Sequence, residues 1–303
     1  MSATRPASLA RRWLAALAAA AVLAGCGTVM RVVYNNGDFA LRVMANEYFD
    51  TSGDQSEILK AQLARFHEWH RREELPAYAR IFQSAAERAA RGLTPEDVTW
   101  GITAVRERYR LVVAQAAEGG APVIATLKPD NYAALERKFA DVNAKFTNDY
   151  LAGDQAKRDR ARAKWFEERI EWFIGDLSEQ QVAIVQRFVQ SQPRMNEVRL
   201  ADRKRRQQEF VALIRQYQSS PELVQRMRDF FVHWERDRGA EHAKLAREWE
   251  GRLVQLVVDL DRTLLPEQRA KLVGRFEMLA EDSRVLARQG RPAGETRAAA
   301  EAQ

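Results

Sequence analysis

Helix starts recur along this chain, and little between them interrupts a helix. Leu93-Thr94-Pro95-Glu96-Asp97, Leu127-Lys128-Pro129-Asp130-Asn131, Leu177-Ser178-Glu179-Gln180-Gln181 and Leu264-Leu265-Pro266-Glu267-Gln268 share one local form. In its best version a hydroxyl caps an orphan backbone N–H, proline suits the first helical position, and acids in the first turn complement the helix dipole. Thr94 and Ser178 supply such caps, and Leu93 and Leu177 can staple onto Val98 and Val182. Leu265 is a poor cap. The steps between starts are 34, 50 and 87 residues, which is not the fixed period of a solenoid.

The 303 residues include only 15 glycines and 9 prolines, while Ala, Leu, Arg, Glu and Gln dominate, a mixture that favours helix over strand. The expected fold is all-α: long antiparallel helices in an extended bundle, some kinked at proline, with no sheet. Apolar spacing predicts helices over 38–49, 131–151, 155–176, 179–217 with a kink at Pro193, 221–263 and 266–289. Asp54-Gln55-Ser56-Glu57 reads as a capping box opening a helix that carries Leu59, Leu63, Phe66, Trp69 and His70. Pro76 predicts a kink or break near 74–76, because proline removes a backbone donor and clashes with the preceding turn.

Cys26 is the only cysteine, so no intrachain disulfide can form. Before it stand Arg5, Arg11 and Arg12, an apolar run from Trp13 to Leu23, and Ala24-Gly25. The run is shorter than the ~20 residues of a membrane-spanning helix, and the pattern is that of a secretory signal. A cysteine directly after the cut site resembles the bacterial lipoprotein signal, which implies that the thiol receives lipid and becomes the new N-terminus. The expected organisation is a removed signal over 1–25, a lipid anchor and short leash over 26–37, a helical domain over 38–289 with a sub-boundary near 152, and a disordered tail over 290–303. Fully extended, the leash reaches only ~30 Å. Gly27, instead of aspartate, follows the cysteine. By the same resemblance that implies the outer membrane, with the protein facing the periplasm.

Removal of residues 1–25 takes away three arginines and no acids, lowering the net charge from +6 to +3. The basic runs Arg158-Asp159-Arg160-Ala161-Arg162 and Arg203-Lys204-Arg205-Arg206 are therefore read as solvated helix faces or contacts to anionic headgroups, and no nucleic-acid partner is expected.

His67-Glu68-Trp69-His70 invites a metal reading, but a zinc helix needs His-Glu-x-x-His and position 71 is Arg. No histidine has Glu three residues before it, as a di-iron bundle requires. Phosphate loops and nucleophile elbows are missing too, so no metal, cofactor or catalytic residue is expected. His67, Trp69, His70, Arg71 and Glu74 stand as the candidate surface site. The stripe Trp165, Phe166, Trp172 and Phe173, and the looser set Phe230, Phe231, Trp234 and Trp249, read as core, with a peptide-binding groove as the functional alternative.

Tyr34-Asn35, Phe39, Asp54-Gln55 and the run Trp69-His70-Arg71-Arg72-Glu73-Glu74-Leu75-Pro76-Ala77-Tyr78-Ala79 resemble a family of proteobacterial helical lipoproteins of unknown function. The chain departs from it at Asn36-Gly37-Asp38, where that family is more apolar. The resemblance implies fold and location, not an activity. Leu177 to Gln181 is also similar to the LTxxQ motif of periplasmic helical chaperones, which the starts at Leu93 and Leu264 match less well. The expected function is that of a membrane-anchored periplasmic lipoprotein: a non-enzymatic helical scaffold whose partners are the bilayer, through acylated Cys26, and an envelope protein. The alternatives are an LTxxQ-type chaperone and a cell-wall- or lipid-acting enzyme, for which His67, His70, Glu73 and Glu74 form the only local cluster.

Overall fold

The computed structural model describes residues 27–191 and 195–289. Among them every regular element is a helix: α1 (Gly27–Asn35), α2 (Gly37–Phe49), α3 (Asp54–Trp69), a π-helical turn (His70–Glu74), α4 (Leu75–Ala90), α5 (Pro95–Ile124) and α6 (Pro129–Tyr150). There follow α7 (Gln155–Ile174), α8 (Glu179–Gln190), α9 (Met195–Tyr217), α10 (Leu223–Val232), α11 (Ala240–Asp261) and α12 (Pro266–Gln289). No described helix is long and apolar enough to cross a membrane. Cys26, the expected kink at Pro193 and the tail beyond Gln289 lie outside the described residues.

The recurrent helix starts form, and their fifth residue does more than complete a cap. Asp97, Asn131, Gln181 and Gln268 are all buried. The side-chain oxygens of the last three accept the backbone N–H three residues earlier: Lys128 N–H to Asn131 (2.8 Å), Ser178 N–H to Gln181 (3.0 Å) and Leu265 N–H to Gln268 (3.1 Å). Their amide nitrogens then cross to another loop. Gln181 Nε2 donates to Gln268 Oε1 (2.9 Å) and to the Thr263 carbonyl (3.3 Å); Gln268 Nε2 donates to Gln181 Oε1 (3.1 Å) and to the Asp176 carbonyl (2.9 Å).

The same pattern recurs in the first half of the chain. Gln55 Nε2 donates to Asn131 Oδ1 (3.0 Å) and to the Thr126 carbonyl (2.6 Å), while Asn131 Nδ2 donates to the carbonyls of Phe49 (2.7 Å) and Asp50 (3.2 Å). Thr126, Thr263, Asp176 and Asp50 each stand two residues before the start that their donor's partner closes. The α2–α3 loop is thus clasped to the α5–α6 loop as the α7–α8 loop is clasped to the α11–α12 loop.

Gln55 is also where the sequence reading fails locally. The expected box at Asp54–Glu57 is not built: Gly53 at φ +53° precedes the helix and makes no side-chain cap bond. Asp54 is exposed, and the helix is tied down by the inward-facing Gln55. The start at Leu93 takes a third route. Thr94 and Asp97 form a reciprocal capping box, with Thr94 Oγ1 accepting Asp97 N–H (3.2 Å) and Asp97 Oδ2 accepting Thr94 N–H (3.1 Å). Arg88 (2.6 Å) and Arg91 (2.8 Å) neutralise the buried carboxylate and, with Thr94, hold its pKa far below the ordinary range. The neighbouring Leu93 N–H bonds buried Asp261 (3.0 Å), whose carboxylate is gripped by Arg269, so the α4–α5 loop is pinned to the α11–α12 loop.

Three apolar clusters fill the space between the helices. Ala117, Ala121, Leu135, Ile214 and Met227 join α5, α6, α9 and α10; Ala163, Val185, Phe188 and Leu256 join α7, α8 and α11; Ala89, Ile174 and Leu272 join α4, α7 and α12. The longest helix–helix seam runs between α4 and α12. Ala77, Ala86 and Ala89 of α4 and Ala280 and Ser283 of α12 are all buried, and such small side chains let two helices approach closely. Helices on either side of residue 152 pack together, as α4 does with α12 and α5 does with α10.

Two expected helices divide. The 221–263 stretch becomes α10 and α11, separated by turns from His233 to Gly239, and the 179–217 stretch becomes α8 and α9. Continuous amphipathic spacing misses the first break because only Gly239 signals it. The stripe on α7 also splits: Phe166 packs edge-on to Phe188 (5.1 Å) and Phe173 faces Phe276 (5.5 Å), whereas Trp165 remains 46% exposed.

Gln181→Ala should lower the unfolding free energy by about 2–3 kcal/mol, because it orphans buried groups on Gln268 and two loops. Combined with Gln268→Ala it should cost clearly less than the sum of the single changes, measured by urea denaturation. Additive losses would mean that the two amides do not act as a pair.

Candidate functional site

The site is built around a helical irregularity that Pro76 demands. A proline continuing a regular helix would clash with the carbonyl of Arg72, four residues earlier. Instead the helix widens, and Leu75 N–H bonds the His70 carbonyl five residues back. The result, where a kink or break was expected, is a π-helical turn through which the helix runs on, and turns of this type frequently occur at functional sites. The widening turns Glu74 fully inward, leaving it 2% exposed, and presents His70 to a pair of tyrosines.

One of those tyrosines comes from the segment read as a leash. Residues 27–35 are instead a helix, α1, docked on the body. Arg31 bonds buried Asp282 on α12 through Nε (3.0 Å) and Nη2 (2.8 Å), and Asn35 reaches Gln289 (3.2 Å). A leash is expected where a segment has no partner for its polar groups, and here α12 supplies them. Tyr34 lies over His67 with ring centroids 4.8 Å apart, and its hydroxyl meets His70 Nδ1 at 2.9 Å. Tyr78, from α4, meets His70 Nε2 at 3.4 Å. Arg71 closes the far side: its guanidinium lies 5.0 Å above the Tyr34 ring and donates to the Leu286 carbonyl (2.9 Å) and to Asn35 (2.9 Å).

The electrostatics of this cluster favour neutrality. Burial, assisted by the charges of His67 and Arg71, pushes His70 down to about 4, while burial pushes Tyr34 and Tyr78 up to about 12. His70 and both phenols are therefore uncharged across ordinary pH, and each ring nitrogen of the imidazole faces a hydroxyl. Burial and Arg71 also lower His67, whose Nε2 is buried without a hydrogen-bond partner among the described residues. Glu74 sits apart from the imidazoles, with one oxygen 3.6 Å from Arg108 of α5 and the other, Oε2, buried and unbonded. Desolvation raises its pKa against the opposing pull of Arg108.

The structure thus gathers His67, His70 and Arg71 around Tyr34. It turns Glu74 toward α5 and leaves Trp69 at the edge, where it meets Phe66 (5.8 Å). Tyr34 and Tyr78 are the members that reading for reactive side chains passes over. Their signal is positional: Tyr78 follows His70 by eight residues, about two helical turns. Among the described residues no group of three or more His, Cys, Asp and Glu side chains is placed to hold a metal ion. The chemistry the cluster supports directly is a neutral hydrogen-bond clasp joining α1 to the π-helical turn.

A family model matches residues 47–238, which takes in the π-helical turn and both clasped loops of the first half. The chain belongs to DUF6279, a family of unknown function. The match begins after Tyr34, so the docked helix α1 lies before it. No curated protein and no solved structure matches the chain.

The sign of the pH effect follows from His70. Its folded pKa lies below the ordinary 6.5, so the unfolded chain binds more protons between those values. The stability His70 contributes is complete above about pH 6.5 and is lost as pH falls toward 4. Thermal melting should therefore show a steeper fall in Tm over this window for the native chain than for His70→Gln, with His67 adding a smaller loss of the same sign. Parallel Tm profiles would show that His70 is not held neutral.

Proposed function

We propose that this chain is a lipid-anchored, periplasm-facing envelope protein of the outer membrane, acting as a non-enzymatic helical scaffold for a partner protein. The observation that carries this reading is the docked α1. It begins at Gly27, one residue after the cysteine of the lipoprotein-like signal, and is held to the body by Arg31–Asp282 and Tyr34–His70. In this reading diacylated Cys26 enters the outer membrane's inner leaflet, and nine residues of helix, rising about 1.5 Å each, set the body at a short, defined distance from the lipid. A flexible tether would let the body turn freely. A docked helix instead presents one face of α12 and the π-helical turn toward the headgroups, leaving the remaining helices for partners. Two acyl signals make such attachment stable, where a single chain gives only marginal binding.

The neutrality of the Tyr34–His70–Tyr78 cluster supports a binding role over an acid–base one, because an efficient general base has its pKa near the working pH. His70, at about 4, is far from it.

Cys26→Ala should abolish incorporation of radiolabelled palmitate and release the protein from membranes, read by fractionation and gel autoradiography. Arg31→Ala combined with Tyr34→Ala should leave lipid labelling unchanged while exposing the 27–36 segment to protease at least several-fold faster, since it removes the contacts that hold α1 down. Persistent labelling of Cys26→Ala would refute the anchor. A pull-down from envelopes that recovers no protein reproducibly would refute the scaffold role.

A further inference from the structure

The two basic runs, 45 residues apart in sequence, meet in space. Arg158 and Arg162 of α7 and Arg199 and Arg203 of α9 line one cleft of about 710 Å³ between α6, α7, α8, α9 and α11. That volume falls within the ~300–1,000 Å³ range of small-molecule sites. The wall behind the arginines is aromatic: Phe146, Tyr150, Trp165, Phe166, Phe188 and Trp249. Phe146 and Tyr150 stack at 4.8 Å, and Phe166 bridges Trp165 (4.9 Å) and Phe188 (5.1 Å), giving a continuous apolar surface. Tyr150 and Trp165 are each nearly half exposed.

The charge is balanced only in part: Arg162 pairs with Asp159 (3.3 Å). Asp149, the one lining acid among the described residues, is engaged by Lys145, and Arg158 donates to the carbonyls of Leu151 (3.0 Å) and Gly153 (2.5 Å). Among the described residues no acid lies within ion-pair reach of Arg199 or Arg203, one turn apart on α9; their guanidiniums lie 5.4 Å over Trp249 and over Phe146. Burial lowers the pKa of Arg199, with the like charges of Arg162 and Arg238 adding to the shift. An anion placed between Arg199 and Arg203 would gain charge-assisted bonds from both guanidiniums.

We infer that this cleft binds a single-chain anionic amphiphile: an acyl chain laid against the aromatic wall, with a carboxylate or phosphate head held by Arg199 and Arg203. A methylene chain suits that wall because it carries no polar group to satisfy. A peptide's backbone N–H and C=O groups would be left unpaired against the rings, at a cost. An inorganic anion would use the arginines and leave the rings exposed. Binding here is independent of whether Cys26 is acylated.

The test uses the full chain in phosphatidylcholine nanodiscs and a photoreactive diazirine analogue of palmitate, with labelled peptides mapped by mass spectrometry. The expected result is saturable labelling, near one per chain, in the peptides spanning 142–166 and 195–203. It should fall about a hundredfold in R199Q/R203Q, since each of the two charge-assisted contacts is worth roughly a factor of ten, and several-fold in Trp165→Ala. Both variants alter exposed side chains, and unchanged circular-dichroism melting confirms that they fold; Trp165→Ala keeps the test decisive if the double variant does not. Displacement by unlabelled palmitate supports a fatty carboxylate, and stronger displacement by lysophosphatidylglycerol supports a phospholipid source. Equal displacement by hexadecanol, displacement by inorganic phosphate alone, displacement by an acidic peptide but not by palmitate, or labelling spread evenly over the surface would each overturn the inference.

Discussion

Two crossed pairs of side-chain amides, Gln55 with Asn131 and Gln181 with Gln268, hold this helical protein in register. They join loops 76 and 87 residues apart in sequence. Apolar contacts between helices are forgiving of a slide along the axis, because one leucine can replace another in a groove. A buried amide is not forgiving: every N–H and C=O needs a partner, and leaving one unmet costs roughly 1–3 kcal/mol. Each of these amides accepts a bond from its own helix start and donates to the carbonyl end of another loop. The position of one helix end therefore dictates that of the other. The repetition of the arrangement in both halves gives the chain two similar clasps, with the Asp261–Arg269–Leu93 junction between them.

The π-helical turn depends on a different constraint, the single proline at position 76. By forcing an extra residue into the preceding turn it rotates His70 toward Tyr34 and Tyr78, and Glu74 toward Arg108. A feature that weakens a helix locally thereby creates the place where the N-terminal helix docks. Arg71 reinforces it by satisfying the Leu286 carbonyl near the end of α12. This end of the molecule is closely packed around an uncharged His70. The cleft between α6, α7 and α9 is its opposite in character: open, aromatic and charged.

The helices themselves were legible in the sequence. Thr94 and Ser178 cap as their hydroxyls require, and Pro95, Pro129 and Pro266 each open a helix. What was not legible was which starts would meet. Leu93 to Asp97 looks the most complete of the four, yet Asp97 pairs with arginines of the preceding helix, while the less regular Gln55 takes its place in the amide clasp. Local capping rules describe one helix end at a time and carry no information on which loop faces which. For the same reason the candidate site was half visible. His67, His70 and Arg71 share a helix, so their proximity follows from spacing; Tyr34 arrives from a segment whose composition reads equally well as a tether.

By itself the sequence determined the all-helical class, most helix starts and the chemical nature of the residues, because these depend on interactions within a turn or two of backbone. The tertiary structure alone decided that 27–35 is docked and that Trp165 faces outward while Phe166 faces in. It also brought Arg158 and Arg203 to one cleft and closed Gln181 on Gln268. Those outcomes rest on desolvation and on pairing between distant segments, and a buried polar group has no preferred partner until the rest of the chain has surrounded it.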